Sequence, residues 1–255
     1  MATAIYAFAQ FSDGTFGSFA NASVTAETAT EIQTGGVGIN QASGVSIGQA
    51  FAGKTLVAIS CLVQTDDATN GSFSYAYLLG PTGEMLCPVQ GGNSGGVGLP
   101  RLKKPVRMAP GVKLFAAWDA VADAVALASM AVYCASGKSA IFAIKAVDAT
   151  KTSMTDVLTG GTVGQSLAGE RIVCSYQGYP AAKGLNDNQA GNSGFYIESS
   201  DGALKAMVSP SCPSTTAGAL HNGAGNYVQG ALPWVEYAVA IPIGQNDSLS
   251  VMAGL

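Results

Sequence analysis

At 255 residues, 48% of them hydrophobic, the chain is long enough to bury a core without help from metals or disulfides. Charged residues make up only 11% and the net charge is −4, which argues against a general nucleic-acid binder, since that needs a phosphate-neutralising surface. The opening MATAIYAFAQFSDG lacks the basic start of a secretory leader, and no apolar run reaches a membrane span, so synthesis in the cytoplasm is expected.

In chain order, ATAIYAFAQF alternates like a strand and DGTFGSFANAS then turns Gly/Ser-rich. No basic residue precedes Lys54, whereas Asp13, Glu27 and Glu31 are acidic. Residues 1–36 read as an N-terminal extended arm reaching onto a neighbouring copy, with an edge strand of the first domain as the plainer alternative. KTLVAISCLVQT, GSFSYAYLLG and EMLCPVQ follow as strands. Between the last two, GPTGEM is a hairpin turn, with Pro81 presetting φ and Gly83 accepting a positive one.

RLKKPVR crowds Arg101, Lys103, Lys104 and Arg107 together, with Lys113 close behind. Pro100 and Pro105 bar a long helix, so an extended connection is expected. PVRMAPGVKLFAAW and AVALASMAVYCAS read as strands. The alanine-rich WDAVADAVALASMAV tempts helix but reads as strand–turn–strand about Ala122–Asp123. SSDGAL carries an Asp-Gly hairpin signal.

The chain also resembles itself. GQAFAGKTLV (Gly48–Val57) and GQSLAGERIV (Gly164–Val173) share Gly48/Gly164, Gln49/Gln165, Ala52/Ala168, Gly53/Gly169 and Val57/Val173. Downstream, NGSF parallels NSGF, GPTGEML parallels SSDGALK, APGVKLFAAW parallels LPWVEYAVAI, and ADAVAL parallels NDSLSV. The order of these matches implies a tandem duplication of a unit of about a hundred residues, the size of a β-sandwich or jelly roll. The expected division is an arm over 1–36, repeats over 37–136 and 153–255, and a linker over 137–152.

Candidate chemistry is sparse. GGNSGG around Ser94 spells the nucleophile loop of trypsin-like proteases, but the one histidine, His221, follows it by more than a hundred residues, where that family places it before. GNSG recurs at Gly191–Gly194, as a favoured loop composition does and a nucleophile does not. His221 has no second imidazole for zinc, and LNDNQAGN (Leu185–Asn192) departs from a calcium loop, with Ile197 where the bidentate Glu belongs. Cys61, Cys87, Cys134, Cys174 and Cys212 form no CxxC pair, and Cys61 and Cys134 lie in apolar strands where burial is expected. Trp118 and Trp234 are placed in matching strands and in the core. No catalytic residue, metal or cofactor is expected.

A doubled, weakly charged, Gly/Ala-rich β chain of this kind resembles virion structural proteins, including double jelly-roll coats and the β-sandwich decoration proteins that cover phage heads. The resemblance is one of architecture and covers most of the chain. It implies an all-β fold of two jelly-roll-like sandwiches, a virion location, and self-assembly, with a trimer and other capsid proteins as partners. Arg101, Lys103, Lys104 and Arg107 would then meet Asp13, Glu27 and Glu31 across an interface. The alternative is a carbohydrate-binding or adhesive β-sandwich with an exposed aromatic platform.

Overall fold

The computed structural model of the protein describes residues 4–21, 24–25, 28–35, 43–64, 72–93, 99–119, 128–145, 150–178, 194–208 and 234–252. They fall into two compact units, one up to Asp119 and one from Ala128 onward. Both are β-sandwiches, as the alternating sequence implies.

In the first unit the elements are β1 (Ala4–Phe11), β2 (Phe16–Asn21), β3 (Thr30–Glu31), β4 (Gln33–Thr34), α1 (Ile47–Ala50) and β5 (Thr55–Gln64). After these come β6 (Ser72–Leu79), β7 (Met85–Val89), β8 (Gly91–Asn93), β9 (Arg101–Arg107) and β10 (Lys113–Asp119). One sheet has the order β4-β2-β1-β5-β8, with β9 also on β5, and the other β3-β10-β6-β7. Strand β8 runs parallel to β5; the other pairings of this unit are antiparallel. Alternation puts Ile5, Ala7, Ala9 and Phe11 of β1 inside, while Tyr6, Phe8 and Gln10 point the other way.

The second unit comprises β11 (Ala128–Cys134), β12 (Ser139–Ile144), β13 (Thr152–Ser153), β14 (Thr155–Asp156), α2 (Val163–Leu167) and β15 (Arg171–Gly178). It continues with β16 (Gly194–Glu198), β17 (Leu204–Val208), β18 (Val235–Pro242) and β19 (Ser248–Met252). Its sheets are β14-β12-β11-β15-β18 and β13-β19-β16-β17. Met130, Val132 and Phe142 of one sheet pack on Phe195, Ile197, Leu249 and Val251 of the other in a single apolar cluster.

Apart from β8, which has no counterpart among the described residues of the second unit, the two topologies are the same. β1 to β7 correspond in order to β11 to β17, β9 to β18, β10 to β19, and α1 to α2. Even the irregularities repeat. Val57 is the extra residue where β5 meets β1, and Val173 is the extra residue where β15 meets β11. The hairpin turns before β7 and β17 close by Gly80 N–H to Glu84 O and Ser199 N–H to Ala203 O. Gly83 and Gly202 sit in them at φ 87 and 81, as a left-handed turn position demands.

The placement of the repeats differs from the sequence expectation. Residues 4–21, expected in an arm, form β1 and β2 inside the first unit's sheet, where Ile5, Phe11 and Phe19 are fully or almost fully buried. Residues 128–136, expected to close the first repeat, carry β11 and thus open the second, and residues 139–145 of the expected linker are β12 and its end. Each repeat therefore starts about thirty residues earlier than the glycine-rich match suggested. A hairpin such as AIYAFAQF-SDGT-FGSFAN alternates equally well alone or as the start of a sheet, and its partner β5 lies far along the chain.

Three of the sequence parallels also shift, including that of ADAVAL with NDSLSV, because SLSV lies on the counterpart of β10. KLFAAWD (β10) corresponds to SLSVM (β19), not to the strand after Pro233, and VEYAVAIP (β18) corresponds to the basic strand β9. Phe195 opposes Val251 and occupies the place of Ala76, which opposes Ala116, so it is not the counterpart of Phe73. The turn at Ala122–Asp123 lies outside the described residues, with strand on either side of it.

Candidate functional site

The basic run RLKKPVR forms a strand rather than a connection, at the edge of its sheet among the described residues. Thr55 opposes Arg107, Leu56 opposes Val106, and Ala58 opposes Arg101. Residues 102–105 therefore bulge out against the single residue Val57. Val106 is buried and anchors the strand, while Arg101, Lys103, Lys104, Pro105 and Arg107 are exposed. Among the described residues no ion pair joins Arg101, Lys104 or Arg107 to a carboxylate.

The same bulge exists in the second unit. Ile172 opposes Ile241 and Cys174 opposes Glu236, so residues 237–240 bulge against Val173. Position by position, Arg101 becomes Glu236, Leu102 becomes Tyr237, Lys103 becomes Ala238, Lys104 becomes Val239 and Arg107 becomes Pro242. Tyr237 leans on the core and its hydroxyl is 2.7 Å from Ser175 Oγ. Val239, at the tip, is 76% exposed. One scaffold thus displays a cluster of cations in one unit and an apolar tip in the other.

Of the acidic residues expected to face this cluster from another copy, Asp13 and Glu31 have partners nearer home. Asp13 lies 2.7 Å from Lys54 Nζ and accepts from the amide and hydroxyl of Thr15. The Lys54 hydrogen bond, helped by Thr15, holds its carboxyl well below the usual carboxylate range. Glu31 is 3.3 Å from Lys113 Nζ and accepts from Ser46 Oγ at 2.5 Å, tying β3 to β10 and to the start of α1. Glu27 lies outside the described residues, as do Ser94, His221, Cys212 and the loop Leu185–Asn192.

Trp118 is buried and its indole donates to Val24 O at 3.3 Å. Trp234 is half-buried against Tyr133 and Tyr176, with ring centroids 5.0 and 5.8 Å away. The two tryptophans are not in matching strands: Trp118 is in β10 and Trp234 precedes β18. Cys61, Cys87, Cys134 and Cys174 are buried and form no disulfide among the described residues, and burial pushes Cys61 far up and Cys134 up to about 12. Among the described residues no three His, Cys, Asp or Glu side chains gather as a metal site would need.

Sequence reasoning missed the outward-facing apolar side chains. Phe8 (42% exposed) and Phe16 (57%) are diagonal neighbours on the outer face of the β1–β2 pair. Leu204 (55%) and Met207 (50%) stand exposed on β17, the edge of the second unit's other sheet among the described residues. The signal was present in the alternation of AIYAFAQF, where Phe8 falls on the face opposite Ile5, Ala7 and Ala9. No protein family, curated protein or solved structure matches the chain.

Proposed function

We propose that the chain is a non-enzymatic structural protein that assembles with copies of itself, as a coat or decoration protein of a virus or phage particle does. The observation that carries this reading is that large apolar side chains stand exposed on both units, Phe8 and Phe16 on the first and Leu204 and Met207 on the second, in a chain with few charges. Aromatic and aliphatic side chains held in water by strands are stabilised when a partner covers them. Duplication of one sandwich supports the same reading, because it gives each protomer two related surfaces with which to tile.

Size-exclusion chromatography with light scattering, followed by negative-stain imaging of the peak, tests it. Defined oligomers or particles at micromolar concentration are expected, and replacing Phe8 and Phe16 by Ser shifts them toward monomer. A wild-type chain that stays monomeric at those concentrations would sink the reading.

A further inference from the structure

We propose that the bulge of β9 is a docking surface for the acidic surface of a second copy of this chain, with Arg101, Lys103, Lys104 and Arg107 supplying the charge. The inference rests on the self-assembly reading and names its electrostatic contact. Cations on an edge strand have a familiar housekeeping role, which is to keep that edge from pairing with a stray strand. The second unit removes that explanation. Its β18 has the same position, the same bulge of four residues against one valine, and the same buried anchor, Ile241 for Val106. Yet it carries Glu, Ala, Val and Pro where β9 carries its four cations. The bulge alone therefore interrupts the edge, without a cluster of four cations. What remains is a surface with four exposed cations within seven residues, projected from the sheet by the bulge.

Charge complementarity points to the occupant. The whole chain has a net charge of −4 with these cations included, so the rest of each copy is acidic. Exposed carboxylates that lack a cation in ion-pair reach among the described residues include Glu84 and Asp201, in the equivalent turns before β7 and β17. Each is stabilised in its charged form by a hydroxyl of its own turn, Thr82 for Glu84 and Ser199 for Asp201. A polyanionic nucleic acid is the other chemistry that four cations would suit, but the acidic remainder of the chain repels it.

The test is sedimentation velocity on the full chain, comparing wild type with K103A/K104V and K103E/K104E. The first variant installs the residues that β18 carries at its own bulge tip, so the fold accommodates it; circular dichroism and melting of both variants check this. Self-association is expected to weaken by about tenfold or more in K103A/K104V and further in K103E/K104E. Wild-type association is expected to fall as salt is raised from about 0.05 to about 0.5 M. Wild-type particles that both folded variants form equally well overturn the docking surface while leaving self-assembly standing. A monomeric wild type overturns both. Retention of a fluorescent mixed-sequence oligonucleotide by wild type, lost in K103E/K104E, overturns the choice of a second copy in favour of nucleic acid.

Discussion

Gly48 and Gly164 hold the same place in the two units: a Cβ would lie 2.1 Å from Ala109 O on the first and 2.4 Å from Gln245 O on the second. Each donates its N–H at 3.0 Å across the same gap, to Val112 O and to Asp247 O. The short helices α1 and α2 are pressed onto the turns before β10 and β19, and only a residue without a side chain fits.

Gly48→Ala and Gly164→Ala are each expected to destabilise the protein by about 3 kcal/mol, because the obstacle is backbone on both sides and cannot swing away. Gly53 offers the control. It matches Gly169, has φ 82 and has nothing within 4 Å of a notional Cβ, so Gly53→Ala costs only the left-handed strain of about 1–2 kcal/mol. Urea titration of the three variants gives the ranking, and a Gly48→Ala no worse than Gly53→Ala would show that the turn can retreat.

Ser175 is fully buried and its hydroxyl bonds the Tyr237 hydroxyl at 2.7 Å, which fastens the bulge of β18 to β15. Burial pushes the Tyr237 phenol up and the Ser175 bond draws it partly back. Tyr237→Phe leaves Ser175 without this partner and is expected to cost about 1–2 kcal/mol. Adding Ser175→Ala to Tyr237→Phe should cost less than the sum of the two single changes. A strictly additive cycle would mean that the two hydroxyls do not interact.

Removal of residues 1–21 separates a detachable arm from an integral hairpin. Strand β1 sits between β2 and β5, and with the β1–β2 hairpin go the buried side chains Ile5, Phe11 and Phe19. The truncated chain is expected to lose the first unit's protection in amide hydrogen exchange, measured peptide by peptide over β5 and β9. Full protection there with only the oligomer lost would return residues 1–21 to the status of an arm.

Much of the fold can be read from residues whose role is local. The shared string of glycines in GQAFAGKTLV and GQSLAGERIV marks positions with local causes: a close approach at Gly48 and Gly164, a left-handed turn at Gly53 and Gly169. The match ends on Val57 and Val173, the two bulged residues. Gly83 and Gly202 likewise announce their turns. What stays hidden is pairing at a distance. The hairpin β1–β2 finds β5 across more than forty residues, and alternation says nothing about which strand a given strand will meet. The same blindness set KLFAAWD against the wrong strand of the second unit. The basic cluster was visible as composition, but its display on a bulge needed the register of β9 against β5, and the fact that the bulge forms without cations needed the comparison with β18.

The contact of Asp13 with Lys54 makes a pH-dependent prediction whose sign is fixed. Lys54 Nζ and the Thr15 amide and hydroxyl all favour the charged carboxylate, so folding lowers the affinity of Asp13 for its proton. A group of this kind stabilises the fold fully above its unfolded pKa of about 4 and loses that contribution as pH falls toward the lower folded value. Asp13→Asn keeps the shape and an acceptor for Thr15 but removes the charge. The melting temperature of wild type should therefore exceed that of Asp13→Asn by a constant gap between about pH 7 and 5, and the gap should close steadily below about pH 4. Both side chains are partly exposed, so the gap is small and shrinks in salt. A gap that persists unchanged at acid pH would mean that the hydrogen bonds within the turn, and not the charge on Asp13, hold β1, β2 and β5 together at this end.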